Sequence, residues 1–171
     1  TALKGTYTLG GTSADFNTFN DFANIVTTCG VDSHVIVNVN PGIYNERLIL
    51  TTIPGASSSA TVTVNGGNPS LVSLNNNVFS NVYLDGADWV TIKNMTLNNT
   101  ATIDGYGVQL RDSAMNNTID SCVINMYVGS GSDIVGVSAS NTETSSSSEG
   151  MNAYWTTISN NTITGAYYGI R

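Results

Sequence analysis

Thr91-Ile-Lys-Asn-Met-Thr-Leu97, Thr118-Ile-Asp-Ser-Cys-Val-Ile124 and Thr157-Ile-Ser-Asn-Asn-Thr-Ile163 are three copies of one seven-residue phrase. Each opens on Thr-Ile and places a large aliphatic residue five positions after that Ile. A shorter phrase travels with it: Val82-Tyr-Leu-Asp85, Val108-Gln-Leu-Arg111, Val135-Gly-Val-Ser138 and, at the end, Gly169-Ile-Arg171. Self-similarity at a spacing of 20 to 50 residues is the mark of stacked repeats. The copies are rich in β-branched residues and separated by turn formers, so the repeated unit is a set of short strands. The expectation is an all-β chain, a right-handed parallel β-helix (solenoid).

Alignment of the copies predicts the packing. Ile92, Ile119 and Ile158 form one inward column and Leu97, Ile124 and Ile163 another, with about 4.8 Å between rungs. On the outside, Lys93 falls beside Asp120 and Asp85 beside Arg111, two opposite-charge pairs at matched positions. The copies start 27 residues apart from Thr91 to Thr118 and 39 apart from Thr118 to Thr157. The excess falls in Ser138–Met151, which contains four consecutive serines and reads as a loop, about 138–152, bulging out of one coil.

Upstream, alternating strand patterns occur at Val35–Val39, Arg47–Leu50 and Thr61–Val64, punctuated by Pro41-Gly42, Pro54-Gly55 and Asn65-Gly-Gly-Asn-Pro69. Residues 14 to 27 carry the one helical pattern. Phe16, Phe19, Phe22, Ala23 and Val26 recur on one face, Asp15 or Asn17 can cap the start, and Cys29-Gly30 ends it. Such an apolar stripe needs a surface to cover, and the open end of a β-coil supplies one. The chain therefore divides into an N-terminal cap with a short capping α-helix, 1–30, and β-helix rungs, 31–171. It stops partway through a phrase that other copies complete. This reads as part of a longer chain that continues past 171, or as an end on which another subunit stacks.

Composition narrows the function. The net charge is −7 with only five basic residues, Lys4, Arg47, Lys93, Arg111 and Arg171, so a phosphate-binding patch and hence nucleic-acid binding are not expected. The acidic balance also argues against an anionic membrane surface, and no apolar run is long enough for direct membrane insertion. Asn, Thr and Ser supply 22, 22 and 19 residues, while charged residues make up only 10%. Surfaces built from amides and hydroxyls are associated with secreted bacterial wall and adhesion proteins. Cys29 and Cys122 do not read as a disulfide framework, because Cys122 occupies the repeat position held by Met95 and Asn161.

The order of capping helix, then Val35-Ile-Val-Asn-Val-Asn-Pro-Gly-Ile-Tyr-Asn-Glu46, then aliphatic rungs resembles right-handed parallel β-helices of the pectin-lyase and pectinesterase type. Leu84-Asp-Gly-Ala-Asp-Trp-Val-Thr-Ile92 is similar to segments of large secreted surface proteins of Bacteroidetes. The resemblance implies a pectin-lyase-like fold and two functions. One is a structural or adhesive module at the bacterial cell surface, in contact with surface glycans or secretion machinery. The other is a polysaccharide lyase or carbohydrate esterase.

The candidate residues follow from both readings. Trp89, Asn116 and Trp155 each lie two residues before the repeated Thr, so the two Trp would stand two rungs or about 10 Å apart, roughly a disaccharide's length. With Tyr154 they form a candidate glycan platform, since aromatic faces stack on sugars; the plainer reading has each Trp closing a turn. The enzymatic alternative rests on Asp85, Arg111 and Asp112, with Ca²⁺ as an optional cofactor, although alternating charge favours structural ladders. No metal-ligand spacing is visible, and the sole histidine, His34, reads as a strand-edge residue. Asp112-Ser-Ala114 resembles the O-glycosylation motif of Bacteroidetes, which would place a glycan on Ser113.

Overall fold

A computed structural model describes residues 1–171. The chain forms a parallel β-solenoid of about six turns with one short helix, α1 (Phe19–Cys29), near its N-terminus. Three sheets make its sides. Sheet A holds β1 (Leu3–Leu9), β2 (Val31–Val39), β5 (Val62–Asn65), β8 (Val90–Lys93), β11 (Thr118–Asp120) and β14 (Thr157–Ser159). Sheet B holds β3 (Gly42–Asn45), β6 (Val72–Asn76), β9 (Thr96–Asn99), β12 (Val123–Asn125) and β15 (Thr162–Thr164). Sheet C holds β4 (Leu48–Thr51), β7 (Ser80–Asp85), β10 (Gly105–Arg111), β13 (Ile134–Ala139) and β16 (Tyr168–Ile170). No helix is long and apolar enough to cross a membrane.

Register explains why the repeats exist. Ile92 pairs with Ile119 and Ile119 with Ile158, while Leu97 pairs with Ile124 and Ile124 with Ile163. Ile92, Ile119, Leu97 and Ile124 are fully buried, each contributing about 1.5–3 kcal/mol of apolar burial. Ile158 and Ile163, in the last rung, are only half-buried against the same core. A parallel coil can hold identical residues in a column only if each turn uses the same corner geometry. The corners comply: Asn94, Ser121 and Asn160 have φ of 56°, 54° and 55° between sheets A and B. Asn tolerates this left-handed conformation better than most side chains.

In the shorter phrase the register differs from the sequence expectation. Val108 pairs with Val137, and Val137 with Ile170, so both C-terminal copies are displaced by two residues from the alignment Val108–Val135. A displacement of two preserves the inward and outward sides of a strand, which is why the aliphatic pattern alone does not separate the two registers.

The helix starts later than the sequence suggests. Its N-cap is Thr18, whose hydroxyl accepts from the Asp21 N–H while the Asp21 carboxylate accepts from the Thr18 N–H. Neither Asp15 nor Asn17 caps it. Asp15 instead binds Thr8 through backbone and hydroxyl, which holds its carboxyl below the ordinary value. Phe16 lies outside the helix, bridged to Leu9. Gly30 closes the helix at φ 71°, donating to Val26, and a Cβ there would collide with the Pro54 carbonyl. Phe19, Phe22, Ala23 and Val26 are buried over the edge strands β1 and β4, and Phe19 meets Tyr44 of β3 edge-on at 5.2 Å. The helix thus covers the N-terminal edges of all three sheets. Leu3–Leu9, within the expected cap, is the first strand of sheet A and pairs in parallel with β2.

Candidate functional site

Three outward surfaces carry the candidate chemistry. The first is the corner entering sheet A. His34, Thr61, Trp89, Asn116 and Trp155 follow one another along it by the pairing of their neighbours. His34 Nδ1 lies 2.9 Å from the Thr61 hydroxyl, so the histidine joins its neighbouring rung. Trp89, Asn116 and Trp155 share φ values of 59°, 57° and 50°. The turn is repeated although its residue is not. Trp89 and Asn116 are half-buried, whereas Trp155 is 75% exposed and Tyr154 beside it 47%, their ring centroids 5.9 Å apart. The two indoles therefore do not present equivalent faces, and Asn116 stands between them.

The second surface is the outside of sheet C, which the serine-rich insertion covers. This corrects the expectation of a projecting loop. After β13 the chain folds flat across the strands. Gln109 Nε2 donates to the Ser140 hydroxyl at 2.8 Å and to the Thr142 carbonyl at 2.7 Å, and Arg47, just before β4, pairs with Glu143. The Ser146 N–H donates to Asp133, and Arg171 donates to the Ser146 hydroxyl. Beneath this strap Tyr83, Tyr106, Gln109 and Ser138 are buried. Burial pushes the Tyr106 hydroxyl well above its ordinary pKa, with Asp133, Asp104 and Glu143 adding to the effect.

The catalytic alternative maps to the rim of that strap. Arg111 donates to the Tyr83 hydroxyl at 2.9 Å, and its Nε sits 3.5 Å from Asp85 Oδ1, an ion pair without a well-formed hydrogen bond. The Tyr83 hydrogen bond is the main cause that raises the Arg111 pKa. Asp112 occupies an exposed corner at φ 51° and its N–H donates to Asn152 Oδ1. Ser113 follows at φ 62°, half-buried, with its N–H donating to the Met151 carbonyl at 2.6 Å. The second expected charge pair differs. Lys93 and Asp120 are in register, but Asp120 accepts instead from Ser159 at 2.7 Å, Asn160 at 2.8 Å and Ser121 at 3.0 Å. These hydrogen bonds hold its carboxyl below the ordinary value. Nowhere do three His, Cys, Asp or Glu side chains converge. Both cysteines are free; burial pushes the Cys122 thiol up to about 11.

The third surface was not anticipated from sequence. On sheet B, Asn45 pairs with Asn75, Asn75 with Asn98, Asn98 with Asn125, and Asn125 with Thr164. Their side chains are linked along much of the axis: Asn98 Nδ2 donates to Asn75 Oδ1 at 3.0 Å, Asn125 Nδ2 to Asn98 Oδ1 at 2.8 Å, and the Thr164 hydroxyl to Asn125 Oδ1 at 2.9 Å. One residue further on, Asn76 pairs with Asn99. Asn99 is buried; its amide donates to the Phe79 and Tyr106 carbonyls and to Asn81, and its oxygen accepts from the Ala101 N–H. Between the ladder and the following loops lies an open groove of about 640 Å³. Apart from Met126 and Tyr127, every residue lining it is Asn or Thr. The available signal was the Asn that follows each inward Leu74, Leu97 and Ile124, extended to a run after the first two.

No protein-family model, curated protein or solved structure matches the chain.

Proposed function

We propose that the chain is a stiff, non-enzymatic module of an extracellular bacterial surface protein, structural or adhesive in role, that meets glycans along its length. The observation that carries this is the in-register column from Asn45 to Thr164, uncharged amides and a hydroxyl repeated rung after rung on a continuously hydrogen-bonded coil. Stiffness follows because each turn is bonded to its neighbours. An uncharged amide surface suits contact with neutral polymers and resists electrostatic adhesion. The similarity of Leu84–Ile92 to segments of large secreted surface proteins of Bacteroidetes favours the same reading, with further rungs of its own chain or an end-stacked subunit and the cell-surface machinery as neighbours.

The competing function is a polysaccharide lyase or esterase using Asp85, Arg111 and Asp112. Against it, Arg111 is already engaged by Tyr83 and Asp85. The test is incubation with pectin, alginate and neutral polysaccharides, with product release and retention on immobilised glycan read in parallel. The module reading expects retention without release. Release that disappears in Asp85→Asn or Arg111→Ala would replace it with the enzymatic one.

A further inference from the structure

We infer that the asparagine-lined groove beside sheet B is a binding site for an uncharged oligosaccharide, seated along the solenoid axis. This rests on the glycan-contact reading above and moves the contact from the tryptophan corner to a place where the chemistry is more selective.

The first argument is donor and acceptor balance. A sugar hydroxyl both donates and accepts, and so does a carboxamide. Within the ladder, Asn75 Oδ1 is occupied by Ser73 and Asn98, while the Asn75 amino group makes no hydrogen bond. Asn125 spends one N–H on Asn98 and keeps the other. Asn45 and Asn77 are exposed with amides that form no hydrogen bond in the fold. The groove therefore offers free donors and acceptors side by side. A carboxylate or phosphate would meet amide oxygens with no cation to offset them. A cation would find no carboxylate lining the groove.

Shape gives the second argument. The lining runs from Asn45 to Asn125 over three rung intervals, about 14 Å, roughly a trisaccharide's length. Tyr127 lies at the far end, 40% exposed, with an aromatic face for stacking and an unpaired hydroxyl. A polypeptide strand adds itself to a sheet edge, whereas this groove runs across the face of sheet B over β3, β6, β9 and β12, the last three of which are paired on both sides. The floor is rigid, because Asn99 is held by three carbonyl-type acceptors and one backbone donor. A fixed floor lowers the ordering cost of binding.

The test is calorimetric titration of the 171-residue chain with neutral tetrasaccharides of β-1,4-linked glucose, mannose and xylose, and with tetragalacturonate, at low and high salt. At least one neutral series should bind, with affinity unchanged by salt because no charge is involved. Asn77→Ala and Tyr127→Ala remove side chains that make no hydrogen bond within the fold, and each should weaken binding about tenfold. Trp155→Ala should leave it unchanged. Binding of no neutral tetrasaccharide, or salt-sensitive preference for the uronate, would overturn the assignment. So would loss in Trp155→Ala with Asn77→Ala and Tyr127→Ala unaffected; that outcome returns the contact to the tryptophan corner and leaves the module reading intact. Cleavage of a tetrasaccharide would instead overturn the module reading itself.

Discussion

Sheets B and C are built from the same rungs, yet their outer faces have opposite fates. On sheet C the outward residues Gln109 and Ser138 find partners in the overlying strap, Tyr83 is covered beside them, and β7, β10 and β13 are buried on both sides over most of their length. On sheet B the outward asparagines supply each other's partners and stay in contact with solvent. Parallel stacking makes both solutions available, because a polar residue repeated at one position always finds its counterpart one rung away. The strapped face depends on a distant loop. The laddered face depends only on register.

That difference orders the expected effects of breaking each face. Asn99→Ala should be the most damaging, by about 3 kcal/mol, since it leaves the Ala101 N–H and Asn81 Oδ1 without partners and removes the hydrogen bonds to the Phe79 and Tyr106 carbonyls. Chemical denaturation measures it, and a loss under 1 kcal/mol would mean that the groove floor is not fixed. On the strapped face, Gln109→Ala should cost about 2 kcal/mol, and it should also raise the rate of proteolytic cleavage within Ser145–Ser148. Glu143→Ala, which removes the outer clamp to Arg47 and leaves Arg47 on Ser80, should speed the same cleavage with a stability loss of only about 1 kcal/mol. If cleavage is unchanged in both variants, the strap is not held by these contacts.

The smallest effect concerns the last rung. Asp120 ties Ser159 and Asn160 to the preceding turn, and these hydrogen bonds lower its pKa from the ordinary 3.8. A depressed carboxylate contributes stability that is present above its unfolded-state value and is lost as pH falls through the lower, folded-state value. Protection of the Ile158 and Ile163 amides, corrected for the intrinsic exchange rate, should therefore fall at a higher pH than protection of the fully buried Ile119 and Ile124. In Asp120→Asn that acid-dependent difference should vanish. Its persistence would assign the effect to another group.

The inward columns were readable from sequence because each rung must refill one apolar interior, which forces Ile or Leu back to the same place. The tryptophan corner was readable as a position but not as a surface. A shared left-handed turn permits Trp, Asn and Trp alike, and exposure then depends on neighbours. β1 was missed because Leu3-Lys-Gly-Thr-Tyr-Thr-Leu9 precedes the helix and shares no phrase with the later rungs. The strap was misread for a similar reason. A run of serines carries no sign of what it will cover, and Gln109 and Arg47 lie 31 and 96 residues from their partners Ser140 and Glu143. The asparagine groove escaped notice because Asn is also the common turn residue. Sequence does not separate an Asn at a left-handed corner, such as Asn94 with φ 56°, from one inside a strand, such as Asn98 in β9.

The most direct test of the stacked architecture, on which both faces depend, is an isotope-edited NMR map of contacts around Thr118–Ile124. The account predicts through-space contacts from Ile119 to both Ile92 and Ile158, and from Ile124 to both Leu97 and Ile163, with parallel-strand patterns. Antiparallel patterns, or Ile119 and Ile124 methyl groups open to a soluble paramagnetic probe, would contradict it.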